Sequence, residues 1–149
     1  DVDMAKSFYK LPAKEIKTAI EALTSEKILI QSDSGYLLKG DFDLLQSYSG
    51  EMPKFTYAMH RNDFLVKSNK HILKEKYPHS YPDTLYYLLI DGVFCGAAVG
   101  KFRYTPEVED IIVDIQQEDA AARKDEILQA VHVLCGANNP IKRYQGEKI

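Results

Sequence analysis

LPAKEIKTAIEALTSEKILIQSDSGYLL, residues 11–38, holds the clearest structural signals in the first part of the chain. Pro12 suits the first turn of a helix, where its missing N–H costs no hydrogen bond. Apolar residues then recur at the spacing of one helix face: Ile16, Ala19, Ile20 and Leu23. KILIQ and YLLK are typical of two short strands around the turn SDSG. We therefore predict a helix over residues 13–26 followed by a β-hairpin.

A further short helix is predicted over residues 2–8, with YKLP as the connecting turn. Helix, turn, helix and hairpin is the order of elements in the latter part of a winged helix-turn-helix. Residues 1–46 therefore resemble the winged-helix family, with residues 13–26 in the recognition-helix position and residues 32–35 at the wing tip. Because the chain starts at Asp1 without a Met, we expect a unit truncated at its N-terminus, in a fragment of a longer protein.

The resemblance implies a set of DNA contacts on this unit. Base edges and phosphates require cations and hydroxyls on one helix face. Lys14, Lys17 and Thr18 would face the major groove, while Lys10, Ser32, Ser34 and Lys39 would reach phosphates. Acidic residues interrupt this basic face, and residues 1–50 hold six lysines against eight acids. The same face therefore also suits a protein partner.

The second half of the chain alternates strand and helix signals. The strongest is TLYYLLIDGVFCGAAVGKFRY, residues 84–104, in which two apolar strands flank the hairpin turn Asp91-Gly92. Further strands are predicted in KFTYAMH, VEDIIVDI and the tail IKRYQGEKI, and helices over residues 63–77 and 117–135. We therefore predict an α+β fold in which residues 50–149 form an antiparallel sheet domain with packed helices, after a boundary near residues 47–53.

Several side chains are expected to face the cores. The predicted inner faces consist of Leu65, Ile72 and Leu73 in the first of these helices, and of Ala121, Ile127, Leu128, Val131 and Leu134 in the second, which should stop at Gly136. Leu11 is expected to join the core of the first unit, and Asp41 to cap a short helix. Cys95 and Cys135 lack metal-binding spacing, which predicts two buried thiols in a reducing compartment.

Charge limits the functions that the chain can have. Its formal charge of −3 and isoelectric point near 5.8 exclude a general attraction to nucleic acid, so any such contact must be local. One basic run, RNDFLVKSNKHILKEK at residues 61–76, holds five cations against two acids, and tyrosines follow it. Its lysines Lys67, Lys70 and Lys74 are candidates for phosphate contacts. A solvated helix face is the alternative explanation.

Catalytic and metal-binding motifs are absent from the sequence. The histidines lack HExxH or His-x3-His spacing, and neither a glycine-rich phosphate loop nor GxSxG occurs. The acids of EVEDIIVDIQQED, which include Glu109 and Asp110, are interpreted as charges that protect an edge strand from aggregation. We therefore assign no catalytic residue, no metal and no cofactor.

The second strand of the predicted hairpin is rich in small residues. Gly96 and Gly100 permit close approach of a helix, a backbone or a ligand, and aromatic residues nearby complete a set of ligand-pocket candidates: Tyr86, Tyr87, Phe94 and Phe102. This hairpin with the next strand and helix resembles the acyl-CoA N-acetyltransferases, although QQEDAAARKD replaces the glycine-rich loop of that family. LLIDGVFCGAAVG behind a winged-helix-like segment resembles the large winged-helix proteins that include the crosslink-repair DNA glycosylases.

One main hypothesis and two alternatives follow. We expect a cytoplasmic, DNA-associated winged-helix protein, either transcription-regulator-like or accessory to DNA repair, without catalysis in this fragment. Double-stranded DNA is the expected partner, a protein on the winged-helix face or a second copy of the chain are the alternatives, and no membrane contact is expected. A protein-interaction or small-ligand-sensing α+β domain is the second hypothesis, and an acyltransferase-like enzyme is the third.

Overall fold

The computed structural model describes residues 2–32, 35–51, 53–77, 83–102 and 104–149. The chain divides into two compact units, Asp1–Glu51 and Met52–Ile149. Each unit combines helices with a sheet, so the α+β class predicted from the sequence is confirmed. Ser34, which was predicted to reach a phosphate, lies outside the described residues.

The first unit contains a helical pair, a hairpin and a further helix. Its elements are α1 (Val2–Tyr9), α2 (Ala13–Ser25), β1 (Leu29–Ser32), β2 (Gly35–Leu38) and α3 (Lys39–Ser47). β1 and β2 pair antiparallel, with Leu29 opposite Leu38. Lys10 and Lys27 adopt positive φ angles of 53° and 58° in the turns on either side of α2. The helix, turn, helix and hairpin therefore follow one another in the expected order.

The core of the first unit is small. Ile16 on α2 is 6% exposed and is the one buried apolar side chain among the described residues of this unit. Leu11 is 46% exposed, so the expectation that it joins this core is wrong. Asp41 lies inside the first turn of α3, because the helix already begins at Lys39 after Leu38. Asp41 is therefore not a cap, although its negative charge suits the helix dipole there.

The second unit is built on a six-stranded sheet. Its elements are β3 (Thr56–His60), α4 (Phe64–Ser68), α5 (Lys70–Lys76), β4 (Asp83–Ile90), β5 (Val93–Lys101), β6 (Glu107–Val113), α6 (Gln117–Ala122), α7 (Lys124–Cys135), β7 (Arg143–Tyr144) and β8 (Glu147–Lys148). The strands lie in the order β3-β4-β5-β6-β7-β8. β3 to β6 pair antiparallel, whereas β7 runs parallel to β6. The sheet is therefore mixed and not wholly antiparallel as predicted, because a helical crossover returns the chain in the same direction.

Asp91 and Gly92 form the turn between β4 and β5. Their φ angles are 49° and 84°, and two positive values fit the turn that best matches the twist of a two-residue hairpin. Ile90 pairs with Val93 directly across this turn. The hairpin predicted from the Asp-Gly signal is therefore confirmed.

Two apolar clusters hold the second unit together. α7 buries Ile127, Val131 and Cys135 in the larger cluster, which the sheet completes with residues such as Leu88 and Ile111. The smaller cluster combines residues of α4, α5 and β4 with partly buried neighbours: Val66, Leu73, Tyr87, Met59, Tyr77 and Phe94. Both predicted thiols, Cys95 and Cys135, are free and buried, and burial raises the pKa of each.

The helix predicted over residues 63–77 is broken in two. α4 and α5 meet at Asn69, whose side-chain amide donates a hydrogen bond to the carbonyl of Leu65 (2.9 Å). The break changes which side chains face the core. Leu73 is buried as expected, but Leu65 and Ile72 are exposed and Val66 is buried instead.

The helix predicted over residues 117–135 is also divided, at Arg123 between α6 and α7. The predicted inner face is therefore correct only in part: Ile127, Leu128 and Val131 are buried or partly buried, whereas Ala121 and Leu134 face solvent. Gly136, with a φ of 97°, ends α7 as predicted.

Candidate functional site

A cavity of about 270 Å³ opens in the second unit beside α4 and α5. Residues from the turn after β3, from both helices and from the start of β4 line it: Arg61, Asn62, Val66, Lys67, Lys70, Leu73, Asp83, Thr84 and Tyr87. Lys67 and Lys70 were DNA-binding candidates and Tyr87 was a ligand-pocket candidate. The fold therefore brings residues from two separate predictions into one cavity, which we call the basic cavity.

A tight turn after β3 positions Arg61 and Asn62. The N–H of Asp63 donates to the carbonyl of His60 (2.8 Å), and the N–H of Asn62 donates to Nδ1 of the same histidine (3.2 Å). The carboxylate of Asp63 then accepts a hydrogen bond from the N–H of Leu65 (2.9 Å) and caps α4. These bonds fix the direction in which the chain leaves the sheet, and with it the place of Arg61 and Asn62.

The floor of the basic cavity is closed by buried side chains. Val66, Leu73, Thr84 and Tyr87 are each no more than 3% exposed. Burial raises the pKa of Tyr87, and a hydrogen bond with Thr84 opposes this rise in part. The floor is therefore neutral and well packed. The charged side chains among the described lining residues lie in the walls of the cavity.

The walls of the basic cavity are predominantly cationic. Arg61, Lys67 and Lys70 are exposed, and Asp83 is the single carboxylate among the described residues that line the cavity. Grouped cations beside a low-dielectric floor create a positive potential that attracts anions. Arg and Lys are also the side chains that bind phosphate, Arg through its planar fork and Lys as a point charge.

Phe102 contacts Arg61. The guanidinium carbon of Arg61 lies 4.7 Å from the centroid of the Phe102 ring, a cation–π contact. The ring of Phe102 also lies 6.4 Å from the ring of His60, which in turn lies 6.3 Å from Tyr86. Phe102 thus contacts a wall residue of the basic cavity, whereas Tyr86 is 3% exposed in the core.

The remaining lysines of the basic run have other surroundings. Lys74 is exposed on α5 but is not among the residues that line the basic cavity. Lys76 forms an ion pair with Asp114 (2.8 Å) and donates to the carbonyl of Phe94 (3.4 Å). The run therefore divides into cations that line the cavity and cations that do not.

The space beside the two glycines of β5 is filled by the protein itself. A methyl group on Gly96 would lie 2.7 Å from Cδ1 of Leu88 and 2.9 Å from the carbonyl oxygen of Ile112. A methyl group on Gly100 would overlap the carbonyl oxygen of Glu107. Both residues are small because neighbouring chain segments pack against them. Phe94 is partly buried against the smaller cluster.

The first unit presents most of its DNA-binding candidates on its surface. Lys10, Lys14, Lys17 and Thr18 are exposed, and Ser32 is half-buried in β1. Glu15 and Glu21 are exposed on the same helix as the lysines. Lys39 forms an ion pair with Asp43 (2.8 Å) one turn along α3, so its charge already has a partner.

The acids of β6 have cationic partners. Glu109 pairs with Lys101 (3.4 Å), and Asp110 pairs with Arg143 (3.8 Å) and accepts a hydrogen bond from the N–H of Gly146 (3.2 Å). The interpretation as edge-strand protection is wrong, because β6 lies between β5 and β7 inside the sheet. Within the described part of the chain, no three His, Cys, Asp or Glu residues are grouped so that they could hold a metal ion. A membrane-crossing helix is likewise not found there.

A second cavity of about 460 Å³ lies beside α6 and α7 in the same unit. Its lining combines apolar and polar residues of α6, α7 and the chain end: Ile115, Gln117, Ala120, Ala121, Lys124, Tyr144, Gln145 and Glu147. The hydroxyl of Tyr144 donates to the carbonyl of Ala120 (2.7 Å), and the amide of Gln145 bonds both backbone groups of Val113 (3.2 and 2.7 Å). Lys124 and Glu147 balance one another in charge, so this cavity is less suited to an anion.

Comparison with protein-family models, with curated proteins and with solved structures finds no match for this chain. The function is therefore inferred from the residues and their geometry. Sequence reasoning singled out Lys67, Lys70 and Tyr87 but missed Asn62, Asp83 and Thr84 as members of the site. Isolated polar residues of this kind carry no motif, and only the fold brings them to the cavity.

Proposed function

We propose that this chain is a DNA-associated winged-helix protein, transcription-regulator-like or accessory to DNA repair, with a binding and non-catalytic role. The observation that carries the proposal is the basic cavity, where Arg61, Lys67 and Lys70 surround a neutral floor beside a single carboxylate. Phosphate contacts dominate the affinity of proteins for DNA and need only a local cation cluster. The net charge of −3 is therefore compatible with such binding.

The first unit supports the same proposal more weakly. Its helix, turn, helix and hairpin follow one another in the order that the winged-helix resemblance implies, and Lys14, Lys17 and Thr18 are exposed on α2. Under this proposal they meet the major groove, while Lys10, Ser32 and Lys39 meet phosphates. Two free buried thiols suit a reducing compartment, which supports a cytoplasmic location.

The test is the binding of double-stranded DNA by fluorescence anisotropy, over a salt series from about 50 to about 200 mM. We expect affinity to fall steeply with salt. Lys67→Glu combined with Lys70→Glu should weaken binding by roughly tenfold or more and flatten the salt dependence, because each lost phosphate contact lowers the slope by about 0.9. Lys14→Glu combined with Lys17→Glu tests the first unit in the same way.

A matched control separates the site from the overall charge. Lys142→Glu with Lys148→Glu changes charge by the same amount on exposed residues of the second unit, outside the basic cavity. The control should bind as the unchanged protein does. The proposal is contradicted if this control pair loses as much DNA affinity as Lys67→Glu with Lys70→Glu. It is also contradicted if the unchanged protein shows no salt-dependent binding.

The second candidate function is that of a small-ligand-sensing or protein-interaction domain. The second cavity favours the ligand version, since its volume of about 460 Å³ falls in the range of small-molecule sites. In the interaction version, a protein partner or a second copy of the chain binds the first unit. Leu44 and Leu45 of that unit are 69% and 66% exposed and offer apolar surface for such a contact. A thermal-shift screen against DNA, nucleotides and acyl-CoA discriminates among these, because a ligand raises the stability of the state it binds.

A further inference from the structure

The basic cavity is a recess with a closed floor. The four floor residues are almost fully buried, and the cations stand in the walls around them. The internal phosphates of a DNA strand continue as polymer on both sides, whereas a terminal phosphate is joined to the strand on one side only. The volume of the basic cavity, about 270 Å³, lies just below the usual size of small-molecule sites. A volume of this size suits a phosphate group with its sugar.

The charges of the basic cavity also suit a strand end. Arg61, Lys67 and Lys70 oppose one carboxylate, that of Asp83, and leave a formal charge of +2. A phosphomonoester carries a charge of about −1.5 to −2 at neutral pH and has three strongly accepting oxygens. An internal phosphodiester carries one charge and has two such oxygens. The terminal group therefore gains more from these walls.

The basic cavity provides hydrogen-bond donors and positive charges for the oxygens of a terminal phosphate. The fork of Arg61 can bond two phosphate oxygens, and the guanidinium already lies against the Phe102 ring at 4.7 Å. The amide of Asn62 adds a neutral donor, and the two lysines supply point charges. Asp83 offers an acceptor to a sugar hydroxyl and repels a further phosphate.

We infer that the basic cavity binds the terminal phosphomonoester of a nucleic-acid strand. The inference rests on the proposed DNA association and specifies the part of the nucleic acid that this site takes. It makes the protein a sensor of phosphorylated ends, with the rest of its DNA surface supplying affinity that does not depend on the end.

The experiment compares one duplex made with 5′-phosphate, with 3′-phosphate and with hydroxyl ends only. Anisotropy in low salt should show that at least one phosphorylated form binds about tenfold more tightly than the hydroxyl form, which corresponds to about 1.4 kcal/mol. Lys67→Gln with Lys70→Gln should remove this preference. Lys142→Gln with Lys148→Gln should leave both the affinity and the preference unchanged.

The outcomes separate the two proposals. Salt-dependent binding with equal affinity for all three duplexes overturns this inference and leaves the DNA association intact. Absence of binding to every duplex overturns both. Competition with inorganic phosphate and with a nucleoside monophosphate tests the source of the phosphate. If the monophosphate binds the protein while phosphorylated and hydroxyl duplexes remain equivalent, the site belongs to free nucleotides and the inference fails.

Discussion

Arg123, at the junction of α6 and α7, donates two hydrogen bonds to the carboxylate of Asp91 in the β4–β5 turn. Nη1 donates to Oδ2 at 2.5 Å and Nη2 donates to Oδ1 at 3.2 Å. Nη2 also reaches Oγ1 of Thr56 (3.0 Å), and Glu126 receives two further bonds from the same guanidinium (3.0 and 2.9 Å). The N–H of Phe55 donates to Asp91 (2.8 Å). One side chain thus ties the first strand of the sheet, a hairpin turn and the helical crossover together.

Replacing this arginine should destabilise the second unit. Arg123→Met keeps the aliphatic stem but leaves the carboxylate of Asp91 and the hydroxyl of Thr56 without their cationic donor. We expect the Tm to fall by roughly 4–8 °C, the effect of losing about one kcal/mol in a domain of this length. Differential scanning calorimetry measures it. Arg143→Met is the matched control, since Arg143 is half exposed and 3.8 Å from Asp110, and should change the Tm little. Equal shifts in the two variants would contradict the role assigned to Arg123.

The same cluster predicts a pH dependence of stability. Hydrogen bonds from Arg123 lower the pKa of Asp91 and the pKa of Glu126. In the unfolded chain, Asp and Glu have pKa values of about 4. Because the folded-state pKa values lie below these, the stabilisation is fully present when the pH is above the unfolded-state pKa values. It is lost as the pH falls through the folded-state pKa values. Urea titrations over this acidic range should show stability falling with pH in the unchanged protein and falling less in Arg123→Met. If the free energy of unfolding falls with pH equally in the two proteins, the hydrogen bonds of Arg123 are not the cause of the pH dependence.

Gly100 should not tolerate a side chain. The methyl group of Gly100→Ala would overlap the carbonyl oxygen of Glu107 on the paired strand, where the register of β5 and β6 shifts. We expect a loss of about 1–3 kcal/mol in the free energy of unfolding by urea, as in other overpacked cores. Gly40→Ala is the contrasting variant, because no described heavy atom beyond its chain neighbours and the backbone of its own helix lies within 4 Å of the new methyl group in α3. It should be neutral or stabilising by about 0.5–1 kcal/mol. If Gly100→Ala leaves stability unchanged, the strands are not packed as described.

Phe102 should support DNA binding through Arg61. Phe102→Ala removes the ring under the guanidinium but costs little core packing, since the ring is 48% exposed. We expect duplex affinity to fall about threefold, in line with a cation–π contact of about 0.5–1 kcal/mol at an exposed site, with the Tm nearly unchanged. Phe102→Tyr retains a ring face and should bind normally. A loss of affinity in Phe102→Tyr equal to that in Phe102→Ala would show that orientation of Arg61 is not the cause.

Local patterns predicted much of the fold but less of the candidate site. The Asp91-Gly92 turn, the end of α7 at Gly136 and the strands around them depend on neighbours in sequence, and the sequence shows them directly. The single helices predicted over residues 63–77 and 117–135 failed because their breaks at Asn69 and Arg123 involve no Gly or Pro. Each predicted inner face is therefore correct only in part: Leu73, Ile127 and Val131 are buried, whereas Leu65 and Leu134 are exposed.

The sequence by itself determined the α+β class, the hairpin and the existence of a basic run, because periodicity, turn chemistry and charge are properties of adjacent residues. Tertiary structure alone decided which of those cations share a cavity. Lys67 and Lys70 meet Thr84 and Tyr87 only because α4 and α5 pack on β4. The pairing of Arg123 with Asp91 spans 32 residues in the same way. Such contacts depend on how whole elements bury their apolar faces, and no local pattern of residues encodes them.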